Sequence, residues 1–177
     1  MQRDCILTRE NIYILNQGLE LIARLDDRLY THAAAPLFRY GVGVHFRHCL
    51  DSYGCFLRGS KSGRINYDQR ERDELIEKNR RFALRKIETI CNDLQSLPVS
   101  GDEPVLVLLE GAANSDEAAS WSQSSVFREL QFLVSHTIHH YAMIAMMLRL
   151  QGFEPGEEFG VAPSTLEHWR DAALCAR

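Results

Sequence analysis

Two histidines four residues apart, His136 and His140, lie inside an otherwise apolar run from Leu130 to Leu148. A run of this length reads as a helix, and it limits what the chain can fold into. On a helix an i, i+4 pair projects to one side, about 40° apart around the axis. With His136 at zero and about 100° per residue, Phe132, Leu133, Met143, Ile144 and Met147 fall within roughly 80° of it. Gln131 and Arg149 fall opposite. The pair is therefore expected to face the core. Burying imidazole nitrogens without partners costs a few kcal/mol. Something must sit there for them to bind, and a metal ion is the economical answer.

The rest of the chain suits an all-α domain built around that helix. Its 177 residues predict a single domain, 1–177, and an apolar fraction of 45% supplies a core. The net charge of −4 offers no basic footprint for nucleic acid. No apolar run is long enough for a membrane span, and the N-terminus lacks the apolar stretch of a signal peptide. The five cysteines, Cys5, Cys49, Cys55, Cys91 and Cys175, are odd in number and form no C-x-x-C. They read as small core residues in a reducing, cytoplasmic setting.

Thr8 reads as the N-cap of a first helix running to about Thr31, with Ile12, Leu15, Leu19, Ile22, Leu25 and Leu29 on its apolar side. A second helix is expected from about Val42 to Leu57, ended by the segment Gly59 to Gly63. A third is expected from Asp68, with Glu71 at the capping-box position, to about Leu97. Its expected core stripe is Leu75, Phe82, Leu84, Ile87, Ile90, Cys91 and Leu94. The β-prone Pro104 to Leu109, followed by Gly111 to Glu117 and Ala119 to Ser124, fits a short antiparallel hairpin. Ser124 or Ser125 opens the histidine helix, which ends near Gly152, and Ser164 or Thr165 caps a last short helix. Four long helices with one small hairpin predict a four-helix bundle.

A metal needs at least three ligands, so His136 and His140 need a partner. The second helix offers His45 and His48, about 60° from one another on the same side, and spacing does not decide between them. Three neutral imidazoles suit zinc, and also iron or nickel, and leave a position open for water or substrate. Such a site keeps the ion's full charge and attracts an anionic ligand, a thiolate or a carboxylate. His136 is followed by Thr137, so the pair is not the H-E-x-x-H motif of zinc peptidases. Glu129, one heptad before His136, reads either as support for the site or as a solvated residue at a helix start, the second reading being favoured. His139 reads as a rim residue, and His32 and His168 as surface residues.

The pattern Gly43 to Tyr53 with His48, followed by Ser135 to Ala142 with His136, His139 and His140, resembles the DinB/YfiT-like family of metal-dependent proteins over about Thr8 to Gln151. That resemblance implies an up-down-down-up four-helix bundle, often homodimeric, with a divalent ion on His48, His136 and His140. It also implies thiol chemistry, since members act as S-transferases or as an isomerase dependent on a low-molecular-weight thiol. The family's Arg-Gly-Gln after the last histidine is replaced by Tyr141, Ala142 and Met143, and the stretch Arg64 to Arg72 lies outside its general motif. Arg70 or Arg72 reads either as a residue of the site mouth that holds an acidic ligand or, the favoured reading, as an exposed arginine at a helix start. The expected function is a metal-dependent enzyme that binds a small thiol. The alternatives are a metal-dependent hydrolase and a non-catalytic bundle that binds a metal or small ligand.

Overall fold

The computed structural model describes residues 6–98, 102–108 and 121–175. Over these it is mostly helical, with seven helices and one three-stranded sheet. The first helix, α1 (Ile6–Arg24), buries Asn11, Ile14, Leu15, Gly18, Leu21 and Ile22. Thr8 lies inside it and is buried, so it is not the cap. The helix does not continue to Thr31. Asp26 accepts the backbone N–H of Leu29 at 2.7 Å and opens a separate helix, α2 (Asp27–Thr31). A short acidic side chain that captures a backbone donor gives the chain a restart that apolar periodicity does not reveal.

The helix α3 (Val42–Ser60) runs three residues past its expected end, and Gly63, at φ 72°, completes the turn into β1 (Arg64–Asn66). The expected third helix is two. Asp73 caps α4 (Glu74–Lys78) through the N–H of Leu75, and Asn79 caps α5 (Arg80–Gln95) through the N–H of Phe82. Asp68 caps neither, and its own N–H donates to Asn66 Oδ1 at 2.9 Å. Leu75, expected in the core, is 54% exposed. Phe82 and Leu84 are half-buried, whereas Ile87, Ile90, Cys91 and Leu94 are buried as expected.

The hairpin is present as β2 (Pro104–Leu108) paired antiparallel with β3 (Trp121–Ser125), and β1 joins it in parallel, Ile65 opposite Val107. The expected loop from Leu109 to Ser120 lies outside the described residues. Ile65, Val105 and Val107 turn the sheet's buried side to the helices. β3 runs directly into α6 (Val126–Leu150), whose N-cap is Ser125. The sheet thus fixes where α6 begins and where the segment after β1 leaves. The last helix, α7 (Pro163–Cys175), starts at Pro163 and not after a Ser164 or Thr165 cap, a position where proline's missing N–H is harmless.

The four longest helices pack pairwise: α1 against α5 and α6, and α3 against the same two. α1 and α6 approach closely at Gly18, where a Cβ would lie 2.0 Å from the Tyr141 hydroxyl oxygen. At the centre, fully buried Asn11 donates from Nδ2 to the carbonyls of Leu7 and Leu130 and accepts the Tyr53 hydroxyl proton at Oδ1. Cys49, Cys55 and Cys91 are free and buried, as small core residues. Among the described residues, no helix is long and apolar enough to cross a membrane.

Candidate metal centre

His45 and His48 stand on α3, and His136, His139 and His140 on α6. These two helices pack together, which brings the two sets within reach. One ring nitrogen from each of His48, His136 and His140 can be chosen so that all three lie within 4.8 Å of one another. The ring centroids are 4.6–4.8 Å apart in all three pairs. His48 Nε2 and His136 Nε2 are 3.0 Å apart. Two donors on a tetrahedral ion at about 2.0–2.1 Å are separated by about 3.3 Å.

The donor set therefore fits a divalent ion in chemistry and in spacing. His140 is held down to about 3 by burial, and then by His48 and His136 beside it. It is neutral near pH 7, the form that offers a lone pair to a metal.

The histidines do not point straight into the core. The buried side of α6 centres on Leu130, Leu133, Thr137, Tyr141, Ile144 and Leu148, and His136 and His140 sit one residue to its flank, half-buried. Thr137 and Tyr141 take the central positions, and the His140 imidazole borders an opening. That opening is a pocket of about 440 Å³ lined by Tyr40, Val44, His45, Arg47, His48, Asp51, Arg70, Arg72 and His140.

His45 was the alternative to His48. It lies outside the three-nitrogen group, but its Nδ1 is 3.1 Å from His140 Nδ1. Burial lowers its pKa, with His139 adding to the effect. His45 therefore orients His140, as a partner to a ligand's second nitrogen does. His139 is exposed with its ring 5.3 Å from His140, a rim position, and His32 and His168 are exposed.

Glu129 is not a solvated residue. It is 4% exposed, accepts the Tyr67 hydroxyl at 2.8 Å and the Ser124 hydroxyl at 2.6 Å, and sits in the first turn of α6. Tyr67 packs on Phe132, and Phe132 stacks on His136 at 5.3 Å. Glu129 thus braces the wall behind His136 through Tyr67 and Phe132. The signal for this was Tyr67 at the end of β1, which is invisible until the strand is recognised.

The segment between β1 and α4 lies along α3. Arg58 and Cys55 donate to the Gln69 carbonyl. Arg70 Nη1 donates to His48 Nδ1 at 2.8 Å. Arg72 is the only non-glycine residue with positive φ among those described, at 52°, and its backbone N–H bonds to Asp51. A left-handed residue of this kind costs roughly 1–2 kcal/mol, so the surroundings hold it there. Sequence reasoning missed Asp51. It follows His48 by three residues on α3, is 6% exposed, and burial raises its pKa against the pull of Arg47 and Arg70. An aspartate between Leu50 and Ser52 in an otherwise buried helix face was the available sign.

No family model matches the chain, and no solved structure matches it. Over 105 residues it is 38% identical to the FK506-binding protein 5 of Rhizopus delemar. That stretch is 59% of this chain, and the chain spans only 27% of that protein, to which the binding of FK506 in the name belongs. This similarity points to a different family and overturns the DinB/YfiT-like resemblance. The resemblance rested on a handful of histidines at helical spacing, and any two packed helices that bring imidazoles together need that spacing. The homodimer expected from it loses its support. The histidine geometry does not depend on it.

Proposed function

We propose that the chain is a metal-dependent enzyme whose divalent ion is held by His48, His136 and His140 and whose open side takes a low-molecular-weight thiol. The observation that carries this reading is the convergence of three ring nitrogens, from two helices, beside a pocket that His48 and His140 line. Zinc is the metal we propose, with iron or nickel as the other ions that imidazole sets accommodate. When bound, the ion supplies Lewis acidity and lowers the pKa of a thiol or water in the open position. Phe132 holds the His136 ring by stacking, and His45 sets the tautomer of His140 through the Nδ1 contact. We also propose that α1, α3, α5 and α6 form a four-helix bundle in which the site lies on the α3–α6 seam. Its support is that each of these helices packs on two of the others.

One observation favours a second reading. Asp51 lines the same pocket, with its carboxyl held above the ordinary aspartate range by burial. A carboxylate so placed can take a proton from water, which a hydrolase needs and a thiol-binding site does not. Elemental analysis of the purified chain, followed by titration of its cobalt-substituted form with a thiol, separates the readings. We expect one divalent ion per chain and a thiol-dependent change in the cobalt spectrum. Failure to take up any ion defeats both readings. Ester hydrolysis that depends on Asp51, without a thiol-dependent spectral change, replaces the first by the second.

A further inference from the structure

The pocket is cationic in a chain that is net acidic. Arg47, Arg70 and Arg72 line it, with Asp51 as the carboxylate among the lining residues. Arg47 is engaged by Glu77 at 2.5 Å. Arg70 and Arg72 stand at the same wall as Asp51, beside a site whose three proposed ligands are imidazoles and bring no negative charge. Arg72 is exposed and is held at this wall by a left-handed backbone and by the bond of its N–H to Asp51. Arg58, the Cys55 thiol and Asn66 tie down the preceding residues. The chain invests several interactions in keeping two guanidinium groups at the mouth.

The contact between Arg70 and His48 carries the argument further. A guanidinium has only donors, so Arg70 requires a lone pair on His48 Nδ1. When Nε2 of the same neutral imidazole gives its lone pair to an ion, the ring proton resides on Nδ1, and two donors then face one another. Histidine ligands ordinarily give that second N–H to a carboxylate or a carbonyl. At His48 the position is occupied by an arginine. A carboxylate entering beside it accepts from both the ring N–H and the guanidinium and removes the conflict.

Resting on the metal-centre reading, we propose that the pocket selects a small ligand bearing a carboxylate, held by Arg70 and Arg72 beside His48, with its second donor group directed at the ion site. Its class is a thiol or hydroxy acid of a few carbons, a size that 440 Å³ accommodates.

The test titrates zinc-loaded full-length chain with 3-mercaptopropionate and with 2-mercaptoethanol, which differ in the carboxylate. The acid should bind about 10- to 100-fold more tightly, the range of a charge-assisted pair. In Arg72→Gln and in Arg70→Gln that advantage of the acid over 2-mercaptoethanol, each measured on the same variant, should fall to less than about 3-fold. Arg72 is exposed, so its substitution leaves the fold intact, and circular dichroism checks this. Equal affinities in the unaltered chain, or an advantage that survives both substitutions, overturns the proposal. If the chain takes up no zinc, the metal-centre reading fails by itself. The carboxylate proposal is then judged by succinate: binding that both substitutions abolish upholds it, and no binding overturns it.

Discussion

Two polar clusters draw on α3 and α6, the first of them also on α1, and they are built on opposite principles. In one, Asn11, Tyr53 and Thr137 are at most 1% exposed and hydrogen-bonded to one another and to the Leu7 and Leu130 carbonyls. Donors meet acceptors, and nothing is left to bind. In the other, His48, His136 and His140 are half-buried and crowd ring against ring, and His48 and His140 line a pocket. Burial, and then His48 and His136 beside it, make His140 harder to protonate. A buried polar cluster that satisfies itself is structure. A cluster that crowds like groups at an opening is prepared for something else.

Substitution should separate the two clusters completely. His140→Ala removes a proposed ligand and should weaken zinc binding by more than about 100-fold, since loss of an outer partner to a ligand already costs 10–100-fold. Because His140 is half-buried at the seam's edge, helix content should be retained. Asn11→Ala should do the reverse. It strands the Leu130 carbonyl and the Tyr53 hydroxyl in the core and should destabilise by about 2–3 kcal/mol, with zinc content unchanged. Equilibrium denaturation and elemental analysis on both variants check the pair. If Asn11→Ala also loses zinc at unchanged fold, the two clusters are one unit and the distinction is wrong.

Chelation probes the same contrast from the ligand side. A ligand that binds only the native state stabilises it by about 2.7 kcal/mol at a hundredfold excess over its dissociation constant. For a chain of this length the melting temperature should fall by about 5–10 °C when the metal is stripped. His140→Ala should melt at one temperature with or without chelator. A melting curve of the zinc-loaded protein that chelator leaves in place would mean that the ion sits elsewhere.

The helices that position the site were legible because their apolar positions repeat, and the i, i+4 pair named α6 as the site helix. Three things were not legible. The breaks at Asp26, Asp73 and Asn79 depend on single side chains capturing backbone donors, which leaves the apolar period almost unchanged. The strand β1 has three residues and exists only because β2 lies beside it. Missing β1 hid the placement of Tyr67 and with it the burial of Glu129, whereas Arg70 and Arg72 were already candidates for the site mouth, and the segment after β1 places them there. Asp51 was hidden differently. It sits about 60° from His48 around α3, on the side opposite His45, and only the loop bearing Arg72 makes that side a pocket wall. Local patterns found the helix that bears the ligands. Non-local pairing decided what faces them.

The smallest expected effect is the response of the metal-free protein to acid, and it bears on whether the crowding is real. Burial and the neighbouring imidazoles hold His140 at about 3 in the folded chain, against about 6.5 in an unfolded one. Burial moves His45 in the same direction. Between those two values the unfolded chain binds more protons than the folded one, so stability rises with pH across the window. The contribution is complete above about pH 6.5 and is lost progressively as the pH falls toward about 3. Both side chains are only half-buried, so solvent screens part of the effect. Denaturant midpoints of the metal-free chain should therefore fall between about pH 7 and about pH 4.5. In His140→Gln, which keeps a polar group but cannot titrate, the fall should be shallower. The Asn11–Tyr53–Thr137 cluster contains no group that ionises in this range, so Tyr53→Phe should lower the midpoint at every pH and leave the slope alone. If His140→Gln and the unaltered chain lose stability in parallel, the imidazoles are solvated and independent, and the contrast between the two clusters disappears.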